Sequence, residues 1–208
     1  MTRLLRITEL LFLFVALPLA FALEPIPIPK IPSLLAVTTF CVAALLRDPS
    51  FDRRALADTG GLRRALPGIM VRAALAFVLL GTGVFVMRPS SLFGLVRRQP
   101  LVWGLVMLLY PLLSALPQEL VYRTFFFHRY RGLFRRDVLT AGASAVAFAF
   151  LHVMYDNMIA VGLTLIGGAL FSWTYTRTRS LWAATAEHAL YGCIVFTVGL
   201  GYYFYEGH

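Results

Sequence analysis

Apolar residues run along this chain in seven long stretches, separated by short segments that hold most of the arginines. The stretches read as about Ile7–Leu23, Ile31–Leu46, Leu66–Val86, Leu101–Leu120 with a continuation to Phe127, Val138–Tyr155, Met158–Tyr175 and Leu181–Tyr205. Each is close to the ~20 residues that cross ~30 Å of hydrocarbon at about 1.5 Å per residue. The pattern predicts an all-α fold, a polytopic transmembrane helix bundle of about seven spans, with any active site inside the bundle.

Composition agrees. The chain has 208 residues, of which 59% are hydrophobic and 14% charged, with a mean hydropathy of +0.76. A soluble domain of that size cannot hide so much apolar surface. The net charge of +9 invites a nucleic-acid reading, but its placement argues against one. With the N-terminus in the cytoplasm, every Lys and Arg except Lys30, Arg88, Arg97 and Arg98 falls on the inner side or at an inner span end. That is the positive-inside pattern, and it implies a lipid bilayer as partner and no nucleic acid. The protein is therefore expected to be a multi-pass integral membrane protein with cytoplasmic Arg-rich loops.

Three connections stand out. "EPIPIPKIP" (24–32) alternates prolines and predicts a short extended link. "RDPSFDRRALADTGGLRR" (47–64) predicts a charged cytoplasmic loop with one amphipathic turn, and "VMRPSSLFGLVRRQP" (86–100) joins the third and fourth spans. Pro111 and Pro117 interrupt the fourth span, so a kink is expected there, with backbone groups seeking other partners. Gly167, Gly168 and Ser172 permit close helix contact in the sixth span. Arg3 and Arg6 before an apolar run, with Ala20-Phe21-Ala22 after it, resemble a signal peptide. The length of the run and its part in the positive-inside count predict a retained span instead. Cys41 and Cys193 lie in apolar runs without metal spacing and read as packing residues.

The remaining ionisable residues resist placement outside the membrane: Glu119 and Arg123 on the fourth span, His152 on the fifth, and Glu187 and His188 on the seventh, with Glu9 read as interfacial. A charge at the bilayer centre costs about 2.5–3.5 kcal/mol even on lenient scales, so such groups face the bundle interior. Glu119 and Arg123 share a helical face and neutralise each other. Glu187 reads as solvated or arginine-paired. A carboxylate and two imidazoles from three spans can meet around one water, the carboxylate as general base and the imidazoles holding water or stabilising an oxyanion.

At these residues the chain resembles the CPBP intramembrane endopeptidases, the CAAX prenyl protease and bacteriocin-processing group that includes the Ras-converting enzyme. The family pattern is Glu-Glu-x-x-x-Arg, then Phe-x-x-x-His, then His-x-x-x-Asn on successive or later spans. The matching stretches are Gln118-Glu119-Leu120-Val121-Tyr122-Arg123, Phe148 to His152, and His188 to Gly192. The resemblance implies one integral-membrane domain over 1–208, with N-terminal spans and a basic loop in 1–100 and the family core in 101–205. It also implies catalytic Glu119, His152 and His188, supported by Gln118 and Arg123. Two positions depart: the first glutamate is Gln118 and the asparagine is Gly192. An amide orients water but does not take its proton, so the base falls to Glu119 or His152, and Arg123 weakens Glu119 in that role by favouring its ionised form. Asn157 is a candidate replacement for the missing amide.

The resemblance implies no obligatory cofactor, although Glu119, His152 and His188 also match the donor types of a zinc site. The leading expectation is an intramembrane endopeptidase that hydrolyses a membrane-anchored protein tail or peptide. The alternatives are a catalytically weakened relative acting as a scaffold or immunity protein, and a proton path in a transporter, for which the absence of an internal repeat gives little support.

Overall fold

The computed structural model describes residues 2–23 and 29–204. Seven of its helices are long and apolar enough to cross a membrane. They are α1 (Arg3–Leu23), α2 (Lys30–Arg47), α3 (Gly60–Met87), α4 (Pro100–Phe134), α5 (Asp137–Leu151, continued by a 3₁₀ turn His152–Tyr155), α6 (Met158–Thr178) and α7 (Leu181–Val198). Among the described residues there is no strand. Large apolar side chains such as Leu79, Val86, Leu101 and Ile166 point outward, as lipid-facing residues must.

Several boundaries differ from those read in the sequence. The first five residues of the proline-rich link, 24–28, lie outside the described residues. Its end does not: Lys30, Ile31 and Pro32 already form the first turn of α2, where a proline loses no helical hydrogen bond. The basic 47–64 segment is half helix, because α3 starts at Gly60, and Arg53–Leu56 forms the expected turn. That turn docks on the start of α7. Trp182 Nε1 donates to Leu56 O at 2.9 Å, and a Cβ on Gly61 would lie 2.5 Å from Ser180 Cβ. The last span stops at Val198 rather than near Tyr205, because Gly199 turns left-handed with φ +103° and ends the helix. Any side chain there would also strike Ser91 O, 2.1 Å from an added Cβ.

Glu9 is more than interfacial. It accepts from Arg129 Nε at 2.9 Å, from Arg129 Nη2 at 2.8 Å and from Tyr130 Oη at 2.9 Å. Phe14, one turn and a half further along α1, packs edge-on against Tyr122, Phe126 and Tyr130. The first span is thereby locked to the end of α4.

The prolines of α4 act by widening the helix. Turns at Pro111–Ala115 and Leu120–Phe125 adopt the π form, whose hydrogen bonds run one residue further along the chain than in an α-helix. Tyr122 O takes a donor from another helix, the Ser144 hydroxyl of α5. Gly168 lets α6 approach at this level: a Cβ there would lie 3.0 Å from Phe148 Cδ1 and 3.2 Å from Ala145 O. Ser172 reaches Ser144 Oγ at 3.4 Å, so the small-residue stripe of α6 does bring the helices together. Gly168→Val, which needs that space, is expected to destabilise the bundle by about 1–3 kcal/mol, as over-packing does. A melting temperature in detergent equal to wild type would contradict this.

Candidate active site

The widened part of α4 carries Gln118, Glu119 and Arg123 toward the bundle centre, where all three are buried. Arg123 is fully buried and serves three helices. Its Nη1 donates to Ser144 Oγ at 2.9 Å, its Nη2 reaches Gly168 O at 3.4 Å, and its guanidinium lies 5.1 Å from the Phe148 ring centroid. Its Nε sits 3.1 Å from Glu119 Oε2, close enough for strong charge pairing. The angle there is poor for a hydrogen bond, so neither atom has a directed partner. The other Glu119 oxygen, Oε1, lies 2.9 Å from His188 Nδ1 of α7. A carboxylate accepts, so Nδ1 carries the proton and Nε2 of His188 keeps its lone pair.

His152 ends α5 at the turn into the 3₁₀ segment. Its Nδ1 lies 2.8 Å from Phe148 O and donates to it, which again leaves Nε2 as the acceptor. Phe148 stands between the two imidazoles, 4.9 Å from the His152 ring and 5.3 Å from the His188 ring by centroids. Phe171 of α6 stacks on His188 at 4.6 Å and fixes its plane. Both histidines and Gln118 line one cavity of about 1020 Å³, walled mainly by Leu, Val and Ile of α3, α4 and α6. Gln118 Nε2 donates to Ser114 Oγ at 2.8 Å, while its Oε1 is buried without a hydrogen-bond partner.

Glu119, His188 and Arg123 are thus in contact, and His152 shares their cavity across Phe148. Glu119, expected as the general base on water, faces protein groups. It is fully buried, it does not line the cavity, and both its oxygens face protein groups. Asn157 also lies elsewhere. It caps α6, with Oδ1 accepting from Ala160 N at 2.7 Å and Nδ2 donating to Tyr155 O and Tyr203 O, so no polar atom of it is left for a site. Among the described residues no group of three His, Cys, Asp or Glu converges as a metal shell.

Glu187 is arginine-paired rather than solvated. It takes Arg72 Nε from α3 at 2.7 Å, the Thr174 hydroxyl from α6 and the Tyr191 hydroxyl at 3.2 Å. Arg72 also donates to Thr174 Oγ1 at 3.2 Å, closing a network that joins three helices. Sequence reading missed Ser144, Thr174 and Tyr191, whose residue types and spacing carry no signal. It also missed Tyr110, whose ring covers Gly192. The one hint of the last was a glycine where a longer side chain is expected.

These features define a helical membrane protein with a buried Glu–Arg–His cluster behind an apolar cavity. Residues 100–194 match the family model of the Rce1-like proteins, type II CAAX prenyl endopeptidases. That match makes this stretch similar to the CPBP/CAAX proteases, a family of membrane-embedded hydrolases. No curated protein and no solved structure matches the chain significantly.

Removing one partner of the buried pair strands the other. Arg123→Met is expected to cost about 3–5 kcal/mol. The double variant Arg123→Met/Glu119→Gln is expected to recover part of that loss, as thermal unfolding in detergent would report. A double variant less stable than Arg123→Met would contradict the pairing.

Proposed function

We propose that the chain is an intramembrane endopeptidase of CAAX type, cutting a peptide bond near the end of a membrane-anchored protein or peptide. One observation carries the reading: two imidazoles, each held through Nδ1, leave their Nε2 atoms to a common apolar cavity. Glu119 accepts from His188 Nδ1 and so holds the ring in one tautomer and orientation, much as a carboxylate does in other acid–histidine pairs. His188 Nε2 takes a proton from water. The oxygen then attacks the peptide carbonyl carbon, whose π electrons move to the carbonyl oxygen. The imidazolium passes its proton to the amide nitrogen as the C–N bond breaks, leaving a carboxylic acid and an amine. His152 Nε2 accepts the water's second hydrogen bond and orients it. The base role expected of Glu119 therefore passes to the histidine in front of it.

The cavity's apolar walls suit a lipid-modified or strongly apolar chain that arrives laterally through the bilayer. No metal is required. The cytoplasmic placement of the N-terminus and the Arg-rich loops belongs to the same proposal and rests on the positive-inside distribution.

A second reading is favoured by Gln118, where the family has its first glutamate: a weakened or inactive relative that keeps the scaffold. One assay separates the two. The protein in liposomes is given a quenched fluorescent CAAX peptide, farnesylated or unmodified. Wild type is expected to cleave at least one of them, with His188→Ala and His152→Ala each slower by about 100-fold or more, the usual scale of a lost general base. Equal cleavage by wild type and both variants would remove the catalytic reading. A large gain in Gln118→Glu would identify the natural chain as a slowed enzyme.

A further inference from the structure

Tyr110 lies on α4 about two turns before the Glu119 cluster and leans across α7. A Cβ built on Gly192 would fall 2.2 Å from Tyr110 Cε1 and 2.4 Å from its hydroxyl oxygen, so the phenol occupies the space a side chain at 192 would fill. The ring sits between His188 and Phe196, with centroids 5.9 Å and 5.7 Å away, along the face that His188, Gly192 and Phe196 share at four-residue spacing. Tyr110, Gly192 and His188 all line the large cavity.

The proposed chemistry lacks one thing. His152 presents an acceptor at Nε2 and the His188 imidazolium is committed to the leaving nitrogen, yet the tetrahedral intermediate needs a donor for its oxyanion. Of the other hydroxyls in the cavity wall, Thr164 donates to Ala160 O at 2.7 Å, Tyr191 donates to Glu187, Ser114 is held by the Gln118 amide that donates to it at 2.8 Å, and Tyr155 lies on the His152 side, its ring 5.8 Å from that imidazole. The Tyr110 hydroxyl makes no hydrogen bond among the described residues and stands one helical turn from His188. We infer that Tyr110 is a further catalytic residue, whose phenol donates to the carbonyl oxygen of the scissile bond as negative charge builds there. The absence of a side chain at Gly192 is the condition that lets it. This inference rests on the proteolytic reading and adds to it a donor from α4 that packs where α7 has no side chain.

A phenylalanine keeps the packing and removes only the donor. In the liposome assay with the farnesylated CAAX peptide, Tyr110→Phe is expected to lower kcat by about 100-fold to 1000-fold, as loss of one oxyanion donor does, with KM changed by less than about threefold. Its melting temperature should match wild type. The second arm pairs Tyr110→Ala with Tyr110→Ala/Gly192→Asn, in which an amide donor is supplied from α7 into the vacated space. The double variant is expected to regain part of the lost kcat. Tyr110→Phe with wild-type kcat, while His188→Ala is inactive, would overturn the assignment and leave the proteolytic reading standing. A fall in kcat that only tracks a lower melting temperature, with no recovery in the double variant, would also overturn it. No cleavage by wild type would end both.

Discussion

A single fully buried guanidinium organises this bundle. Arg123 has no water to solvate it, so each of its nitrogens must find a group on another helix or on Glu119. That requirement draws Ser144 of α5 and Gly168 of α6 to α4 and holds Glu119 at the angle from which it reaches His188 of α7. Four spans thus converge on one cation. The packing around it follows: phenylalanines 148 and 171 cover the guanidinium and also flank the imidazoles. The cluster that stabilises the centre also fixes the orientation of the His188 imidazole.

A second charged network lies apart from the first. Arg72, Thr174, Glu187 and Tyr191 join α3, α6 and α7, and α3 has few other means of attachment to α6. Glu187 and His188 are sequence neighbours that point to different networks. One closes the side of the cavity formed by α3, and the other faces its interior. Two adjacent residues of one helix thus serve two separate networks.

Much of this was legible in the sequence. Hydrophobic runs placed all seven spans, because a bilayer leaves little freedom in length or polarity, although the start of α3 and the ends of α4 and α7 lie six or seven residues from where the runs put them. The motif residues Glu119, Arg123, His152 and His188 stood out because ionisable groups at such depth are costly. What stayed hidden depended on direction rather than composition. Nothing in the order of residues says that Glu119 turns from the cavity toward Arg123 and His188, or that Asn157 spends its amide on a helix end. The early stop of α7 at Gly199 hinges on one backbone angle. Arg72 could be read as a span-end charge until its partner across the bundle was known.

The widened turns of α4 have a consequence for how this segment can change. In a π turn one residue is held beyond the ordinary helical count, and here the turn at 120–125 lies between Glu119 and the aromatic clamp of Phe126 and Tyr130 on α1. Deleting one residue there would let the helix relax to regular α form. Everything beyond would then swing by roughly 100°, parting the clamp from the first span. Substitution is open to this segment, but its length is not: the spacing of the motif is a mechanical register between the two ends of one helix.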